Sequence, residues 1–313
     1  MYHIIINPAS QSGRGLKIWK KKVEPALLQE GVEYQVHFSK KRGDVSKIAN
    51  RLASEAAESE VTLILLGGDG TVNELIQGLP QEKSVILGYI PTGSSNDLAR
   101  DLGIPFSTEK ALELILHTGS PKPMDLGTVT YPDGSTRRFC VSCGLGYDAA
   151  VCEEVQRSRL KAVLNRFGLG KLVYLGIALR QLMTTKTVSG QLTLDDNKPI
   201  KMASVLFVAG MVHRYEGGGF MFCPKADPSD GLLDLCAVEK LPKLLILLAL
   251  PTAFKGGHYR FKGITPYRAQ RFVLETSSPL WAHTDGEVSA QTSRLEVNCE
   301  QHMLQIIVPA AKT

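Results

Sequence analysis

Short strand-like segments and helical stripes alternate through the first 125 residues. YHIII at 2–6, EYQVHF at 33–38, VTLILL at 61–66 and VILGYI at 85–90 have the length and residue types of strands, and the continuous apolar runs among them imply burial on both faces. Between them, Leu16, Trp19, Val23 and Leu27 recur at helical spacing, as do Val45, Ile48, Ala49, Leu52 and Ala56, with Asp44 placed to cap the second helix. Strand and helix in alternation predict a parallel sheet.

Beyond Asp125 the pattern changes. RRFCVSC at 137–143, GQLTLDD at 190–196, MASVLFVAG at 202–210, LDLCAVE at 233–239, RFVLETS at 271–277 and LQIIVP at 304–309 read as strands, with helical insertions near 147–185 and 242–255. The expected fold is therefore α/β: a parallel three-layer α/β nucleotide-binding domain over 1–125, then a mostly antiparallel, sandwich-like β-rich domain over 126–302. The boundary falls near Met124-Asp125-Leu126, and residues 303–313 are expected to return to the first domain.

Composition narrows the function classes. A chain of 313 residues with 43% apolar and 21% charged positions is globular and long enough for two domains of roughly 150 residues. The net charge of +5 is too small for a dedicated nucleic-acid binder. Leu244 to Leu250 is an apolar run far short of the ~20 residues that span a bilayer. The N-terminus, MYHIIINPAS, lacks a cationic leader, so a cytoplasmic protein is expected. Six cysteines without a secretory signal read as reduced core residues, and Cys140-Val-Ser-Cys143 has no partner pair at zinc spacing.

The candidate chemistry lies in three polar loops that follow strands. VTLILL runs into Gly67-Gly68-Asp69-Gly70-Thr71 and then Val72, Leu75, Ile76 and Leu79 at helical spacing. Glycines admit close approach of an anion to backbone N–H groups, and a helix N-terminus adds partial positive charge, so this turn suits a phosphate. An aspartate at its centre calls for an accompanying cation. The second loop is Pro91-Thr92-Gly93-Ser94-Ser95-Asn96-Asp97, and the third is Asn7-Pro8-Ala9-Ser10-Gln11-Ser12-Gly13. Neither the dinucleotide fingerprint nor a Walker loop is present. Loops after parallel strands gather at one sheet edge, where open α/β folds hold ligands.

These residues carry a family resemblance. Asn7-Pro8, GGDGTVNE at 67–74, GSSNDLAR at 93–100, Met124-Asp125-Leu126-Gly127 and Thr284-Asp285-Gly286-Glu287, in that order, resemble the diacylglycerol kinase catalytic-domain family, which includes sphingosine kinases and bacterial lipid kinases. The resemblance runs from about residue 3 to 308. It implies ATP-dependent transfer of the γ-phosphate to a lipid hydroxyl, diacylglycerol-like, with Mg2+ beside the phosphates. It puts nucleotide contacts at Asn7, Ser39, Gly67, Gly68, Asp69, Gly70, Thr71, Val72, Asn73, Glu74 and Ser94, where Ser94 replaces the usual threonine and Gln11 a common glycine. It gives Asp69, Asp97 and Asp125 a part in the magnesium and water network. Glu287, after Asp285 in the DGE motif, takes the part of general base.

The same resemblance matches Lys225 to Asp234 with a structural magnesium segment, in which Asp230 and the carbonyls of Asp227 and Leu232 are the ligands. Leu241 to His258 is more apolar than one buried helix face requires. It suits either a core helix or the border of a lipid-entry cleft, with Lys243, Lys255, His258 and Arg260 toward anionic headgroups of the inner membrane surface. Lys20-Lys21-Lys22 and Lys40-Lys41-Arg42 read as solvated faces. Free edges of an antiparallel domain would allow a homodimer. The alternatives are a NAD kinase-like phosphotransferase, which shares GGDGT, and a nucleotide- or lipid-sensing module without turnover.

Overall fold

In a computed structural model of the chain, residues 1–56, 60–81, 84–158 and 170–310 are described. The four N-terminal strand candidates form β1 (Tyr2–Ile6), β2 (Tyr34–Phe38), β3 (Val61–Gly67) and β4 (Val85–Pro91). They pair in parallel in the order β2-β1-β3-β4. Ile4 to Ile6 and Leu63 to Leu66 are fully buried, as strands covered on both faces require.

The first crossover is a helical run: α1 (Ser10–Ile18), a wide π-type turn over Trp19–Val23, and α2 (Glu24–Gln29). Trp19, Val23 and Leu27 pack inward, whereas Leu16 at the start of the stripe is exposed. Next come α3 (Asp44–Glu55), α4 (Asp69–Gln77), α5 (Asp97–Asp101) and α6 (Thr108–Glu113). Gly43, not Asp44, occupies the N-cap of α3. Asp44 instead turns back and accepts the Lys40 and Lys41 N–H groups, closing the loop before the helix. The step from β1 to β2 runs opposite to the later steps, so right-handed crossovers put the first helical run on one face and α3 and α4 on the other. Accordingly α3 packs against α4, and α6 against the π-type turn.

The second half contains β5 (Gly119–Thr130), β6 (Thr136–Phe139), β7 (Ser142–Gly146), α7 (Tyr147–Arg157), α8 (Gly170–Thr184), β8 (Val188–Leu194), β9 (Ile200–Met211), β10 (Leu233–Glu239), α9 (Lys243–Ala253), β11 (Ile264–Ala269), β12 (Arg271–Thr284) and β13 (Glu287–Pro309). The expected helical insertion at 147–185 contributes α7 and α8; its segment 159–169 lies outside the described residues, as do 311–313 of the expected C-terminal return. The single strand expected at 137–143 divides into β6 and β7. At the break, the N–H groups of Cys140, Val141 and Ser142 turn to the Asp285 carboxylate.

One sheet, in the order β11-β10-β9-β7-β12-β13-β4-β3-β1-β2, runs through the molecule. β5 and β13 make this continuity, pairing antiparallel on both sides of an interruption between Glu300 and Leu304. Beyond it, Gln305 and Ile306 pair in parallel with Ile86 and Leu87 of β4. Asp125 is fully buried at the interruption. Its carboxylate accepts the N–H groups of Gly231 (2.7 Å) and His302 (2.8 Å), and its own N–H donates to the Pro228 carbonyl (2.7 Å). One apolar core fills the parallel half and two smaller ones the antiparallel half.

Candidate active site

The three polar loops meet at the C-terminal ends of β1, β3 and β4. Asn7 Nδ2 donates to Thr71 Oγ1 (3.4 Å), the Thr92 N–H to the Gly67 carbonyl (2.7 Å), and Thr92 Oγ1 to Ser10 Oγ (3.1 Å). Gly68 and Gly93 lie back to back: a Cβ on either would stand 2.8 Å from the Cα of the other. Only residues without side chains let the Gly67–Thr71 and Pro91–Asp97 loops touch. Thr71 Oγ1 accepts the Gly68 N–H (3.3 Å), which holds the turn at the start of α4. Gly70 and Ser94 remain exposed at the mouth of the cleft.

Two acids sit beneath these loops. Asp69 Oδ2 accepts the Asp97 N–H (3.1 Å), and burial, reinforced by the neighbouring Asp97 charge, pushes its carboxyl up to about 6. Asp97 Oδ2 accepts the Gly218 N–H (2.7 Å), and Arg100 lies 3.6 Å from Oδ1. Burial raises the Asp97 carboxyl too, against the pull of Gly218 and Arg100. The Oδ1 atoms of both acids are buried without a hydrogen-bond partner among the described residues. Two such oxygens on adjacent carboxylates have the hard-donor chemistry of a magnesium site.

Asp285 and Glu287 face this region from the second half. Asp285 and Gly286 have φ of 50° and 77° and form a two-residue turn between β12 and β13, with Thr284 paired to Glu287. The Asp285 carboxylate accepts Asn73 Nδ2 (2.8 Å) and the N–H groups of Cys140 (2.9 Å), Val141 (2.8 Å) and Ser142 (3.0 Å). Asn73 also donates to the Arg138 carbonyl and accepts Arg137. The turn is thereby clamped to α4. Glu287 reaches across the cleft to Arg42, at 2.5 Å between Oε2 and the guanidinium. Arg42, expected as part of a solvated basic run, thus meets the proposed proton acceptor.

An apolar cavity of about 70 Å3 opens in the second half, between β9, α8 and α9. Tyr147, Phe207, Phe222, Ile246 and Leu250 line it, with Asp148 as an acidic residue on its wall. From the exposed Phe254, rings lead inward through Phe220, 4.1 Å between centroids, then Phe222 and Phe207. α9 shows two apolar faces: Ile246, Ala249 and Ala253 are buried, whereas Leu244 and Leu248 are 70% and 58% exposed. Met183 at the end of α8 extends the exposed patch, and Lys243 Nζ donates to its carbonyl. Lys255 and Arg260 are exposed nearby. His258 does not join them. It is buried on the cavity wall, where burial lowers its basicity, and Nε2 lies 3.1 Å from the Phe222 carbonyl.

Comparison with known proteins decides the family. The profile of the diacylglycerol kinase catalytic domain matches residues 1–129, and that of the YegS C-terminal NAD kinase beta sandwich-like domain matches residues 141–308. A diacylglycerol kinase of Bacillus subtilis (strain 168) is 30% identical over 315 residues, covering 99% of this chain and 96% of its own. The chain belongs to the diacylglycerol kinase catalytic-domain family. A diacylglycerol kinase of Mycobacterium tuberculosis is 29% identical over 267 residues, 85% of this chain and 83% of that one. The crystal structure of a diacylglycerol kinase from Bacillus anthracis str. Sterne shares the fold, with a TM-score of 0.70 at 23% identity over 100% of this chain and 98% of that one. The α/β fold with a β-rich second part is that of the family.

Within this kinase-family fold the site residues divide. Asn7, Gly67 to Thr71, Asp69 and Asp97 come together at the loop cluster, whereas Ser39 follows the edge strand β2, its N–H bonded to the Ile6 carbonyl. Val72 is a core residue of α4. Glu74 Oε1 accepts the Gly43 (2.6 Å) and Val45 (3.0 Å) N–H groups and so caps α3. Asp125 lies at the β13 interruption, beside the segment that carries Asp227, Asp230 and Leu232. There Asp227 Oδ1 accepts the Ser229 N–H, while the Asp230 carboxylate is engaged by Arg268 and by the Leu232 N–H. Sequence reasoning missed Arg42, Asp148, Glu216 and His283. Asp148 opens a helix directly after a Gly-Leu-Gly strand end, Glu216 precedes three glycines and His283 stands two residues before the DGE motif.

Among the described residues no helix is long and apolar enough to cross a membrane.

Proposed function

We propose that the protein is an ATP-dependent lipid kinase that transfers the γ-phosphate to the hydroxyl of an acylglycerol-like lipid, with the diacylglycerol named for its relatives as the first acceptor to test. The observation that carries this reading is the link between two environments: the glycine-loop cluster over the Asp69 and Asp97 carboxylates is joined through the Glu216–Gly219 hairpin, bonded to Asp97 at Gly218 and meeting His283 at Glu216, to Asp148 in the wall of the aromatic-lined apolar cavity. The nucleotide phosphates lie against the Gly67–Thr71 turn and the start of α4, which supplies backbone donors in place of a Walker lysine. Asp69 and Asp97 are the residues that hold Mg2+, and the ion supplies charge neutralisation at the phosphates. The domains divide at Asp125, and the strand beyond the β13 interruption belongs to the nucleotide side.

Glu287 accepts the acceptor hydroxyl's proton as the oxygen attacks phosphorus. Arg42 holds Glu287 in place in the absence of nucleotide; an incoming phosphate competes for the same guanidinium and releases the carboxylate. Asp285 keeps the turn against α4, so that the base and the nucleotide loop move as one body. The exposed leucines of α9, with Lys255 and Arg260 nearby, dock the protein peripherally on an anionic membrane surface, and acceptor enters along the Phe254–Phe220–Phe222 ladder. The cavity is open on one side and has room inside for only a few water-sized groups, so an acyl chain lies partly along the ring ladder outside it or widens it between α8 and α9.

The test is transfer of labelled γ-phosphate from ATP with Mg2+ to a mixed membrane-lipid extract, beside a parallel reaction with NAD. Labelled lipid is expected. Label in NAD alone, or in neither, would overturn the reading.

A further inference from the structure

Three ionisable side chains meet beside the inner wall of the apolar cavity. His283, fully buried on β12, has Nε2 3.1 Å from Asp148 Oδ2 and 3.5 Å from Glu216 Oε1. They come from separate segments: Asp148 from the first turn of α7, where it lines the cavity, and Glu216 from the hairpin that carries Gly217 to Gly219. The backbone makes room for them. A Cβ at Gly144 would stand 1.8 Å from Asp148 Oδ2 and 2.6 Å from His283 Nε2, so β7 passes this pair only as glycine.

The hydrogens do not suffice for the acceptors. His283 Nδ1 lies 3.1 Å from the Gly286 nitrogen, while Asp148 and Glu216 outweigh burial and raise the ring to about 9; in either protonation state Nδ1 faces Gly286 and only Nε2 faces the carboxylates. One ring hydrogen, on Nε2, is therefore left for two carboxylates. Asp148 Oδ1 is buried and has no hydrogen-bond partner among the described residues. Burial pushes the Glu216 carboxyl up to about 7, against the pull of His283 and of the Ser142 hydroxyl, so Glu216 has donors and a proton of its own to draw on. The unmatched acceptor of the cluster is therefore Asp148 Oδ1, on a residue that lines the cavity, and a buried acceptor left unmatched is costly.

This inference rests on the lipid-kinase reading. We propose that Asp148, Glu216 and His283 select the acceptor: a lipid that carries a second hydrogen-bond donor beside the hydroxyl to be phosphorylated. Ester oxygens only accept, and against Asp148 they add an acceptor where donors are lacking. Diacylglycerol has one hydroxyl, which the phosphoryl transfer consumes. A monoacylglycerol brings a second hydroxyl, and a sphingoid base an ammonium group. A site built around a substrate donor discriminates strongly against the analogue without it.

The full-length protein is assayed with ATP and Mg2+ for kcat/KM toward 2-oleoylglycerol, sphinganine and 1,2-dioleoylglycerol in the same mixed micelles. At least one two-donor lipid is expected to exceed diacylglycerol by about tenfold or more, and the hydroxyl and ammonium arms show which donor is read. In Asp148→Asn and Glu216→Gln, which supply an N–H of their own, the ratio is expected to fall to within about threefold. Diacylglycerol equal or superior in the wild type, a comparison that needs no variant to fold, would overturn the inference alone. So would variants that lower all acceptors by the same factor. Phosphorylation of none of the three would overturn the lipid-kinase reading with it.

Discussion

Replacing Asp285 by alanine separates a structural clamp from a reacting group. The substitution removes the acceptor for three backbone N–H groups, those of Cys140, Val141 and Ser142, and for the Asn73 amide. Asn73 keeps a second acceptor in the Arg138 carbonyl, so the backbone donors set the magnitude. Leaving a buried donor unmatched costs about 1–2 kcal/mol, and three give a loss of about 3–6 kcal/mol, less any water that enters. Against a total stability of about 5–15 kcal/mol this is large. Urea unfolding followed by tryptophan fluorescence suits the question, because Trp281 lies on β12 close to the turn and Trp19 lies in the core of the parallel half. The midpoint is expected to fall sharply in Asp285→Ala. Asp285→Asn, which retains one acceptor oxygen, is expected to lose about half as much. A loss under about 1 kcal/mol with abolished turnover would refute the argument and make Asp285 a group acting on the reactants.

Further outcomes are expected. The Asp69 carboxyl, about 6 in the metal-free folded protein against 3.8 for an ordinary aspartate, must be ionised to hold a cation, so Mg2+ affinity, read by calorimetry, should rise with pH through about 6 and level above it. Between those two values the folded protein holds a proton at Asp69 that the unfolded chain has lost; stability of the metal-free protein should therefore decrease as pH rises across this window, and the slope should become shallower in Asp69→Asn, with the raised carboxyls of Asp97 and Glu216 keeping their own contributions. Glu287→Gln should abolish turnover while ATP binding, read by calorimetry, persists; Arg42→Ala should alter stability by less than about 1 kcal/mol, because an exposed ion pair contributes little, and should weaken ATP binding. Leu244→Glu with Leu248→Glu, at exposed positions, should leave the unfolding transition in place and reduce co-sedimentation with anionic vesicles; undiminished sedimentation would place the membrane contact elsewhere.

Much of the fold was legible because its determinants are local. Strands such as Val61–Gly67 and Val85–Pro91 are continuous apolar runs, Trp19, Val23 and Leu27 are spaced for a buried helix face, and the Gly67-Gly68-Asp69-Gly70-Thr71 turn carries its chemistry within five consecutive residues. Parallel pairing of those strands then brings their following loops to one edge. Only the tertiary structure decided what the acids do. Asp285 reads as part of a motif beside the base, yet folding sets three N–H groups of the β6–β7 break against it. Asp125 falls at the expected boundary, yet a single strand runs through it and its carboxylate is spent on the β13 interruption. Arg42 and Glu287 are far apart in sequence, and so are Asp148, Glu216 and His283, which have no shared periodicity to announce them. Periodicity reports only which face of an element is buried. Which charge meets which across elements depends on strand order and register, and these are set by the packing of the whole chain.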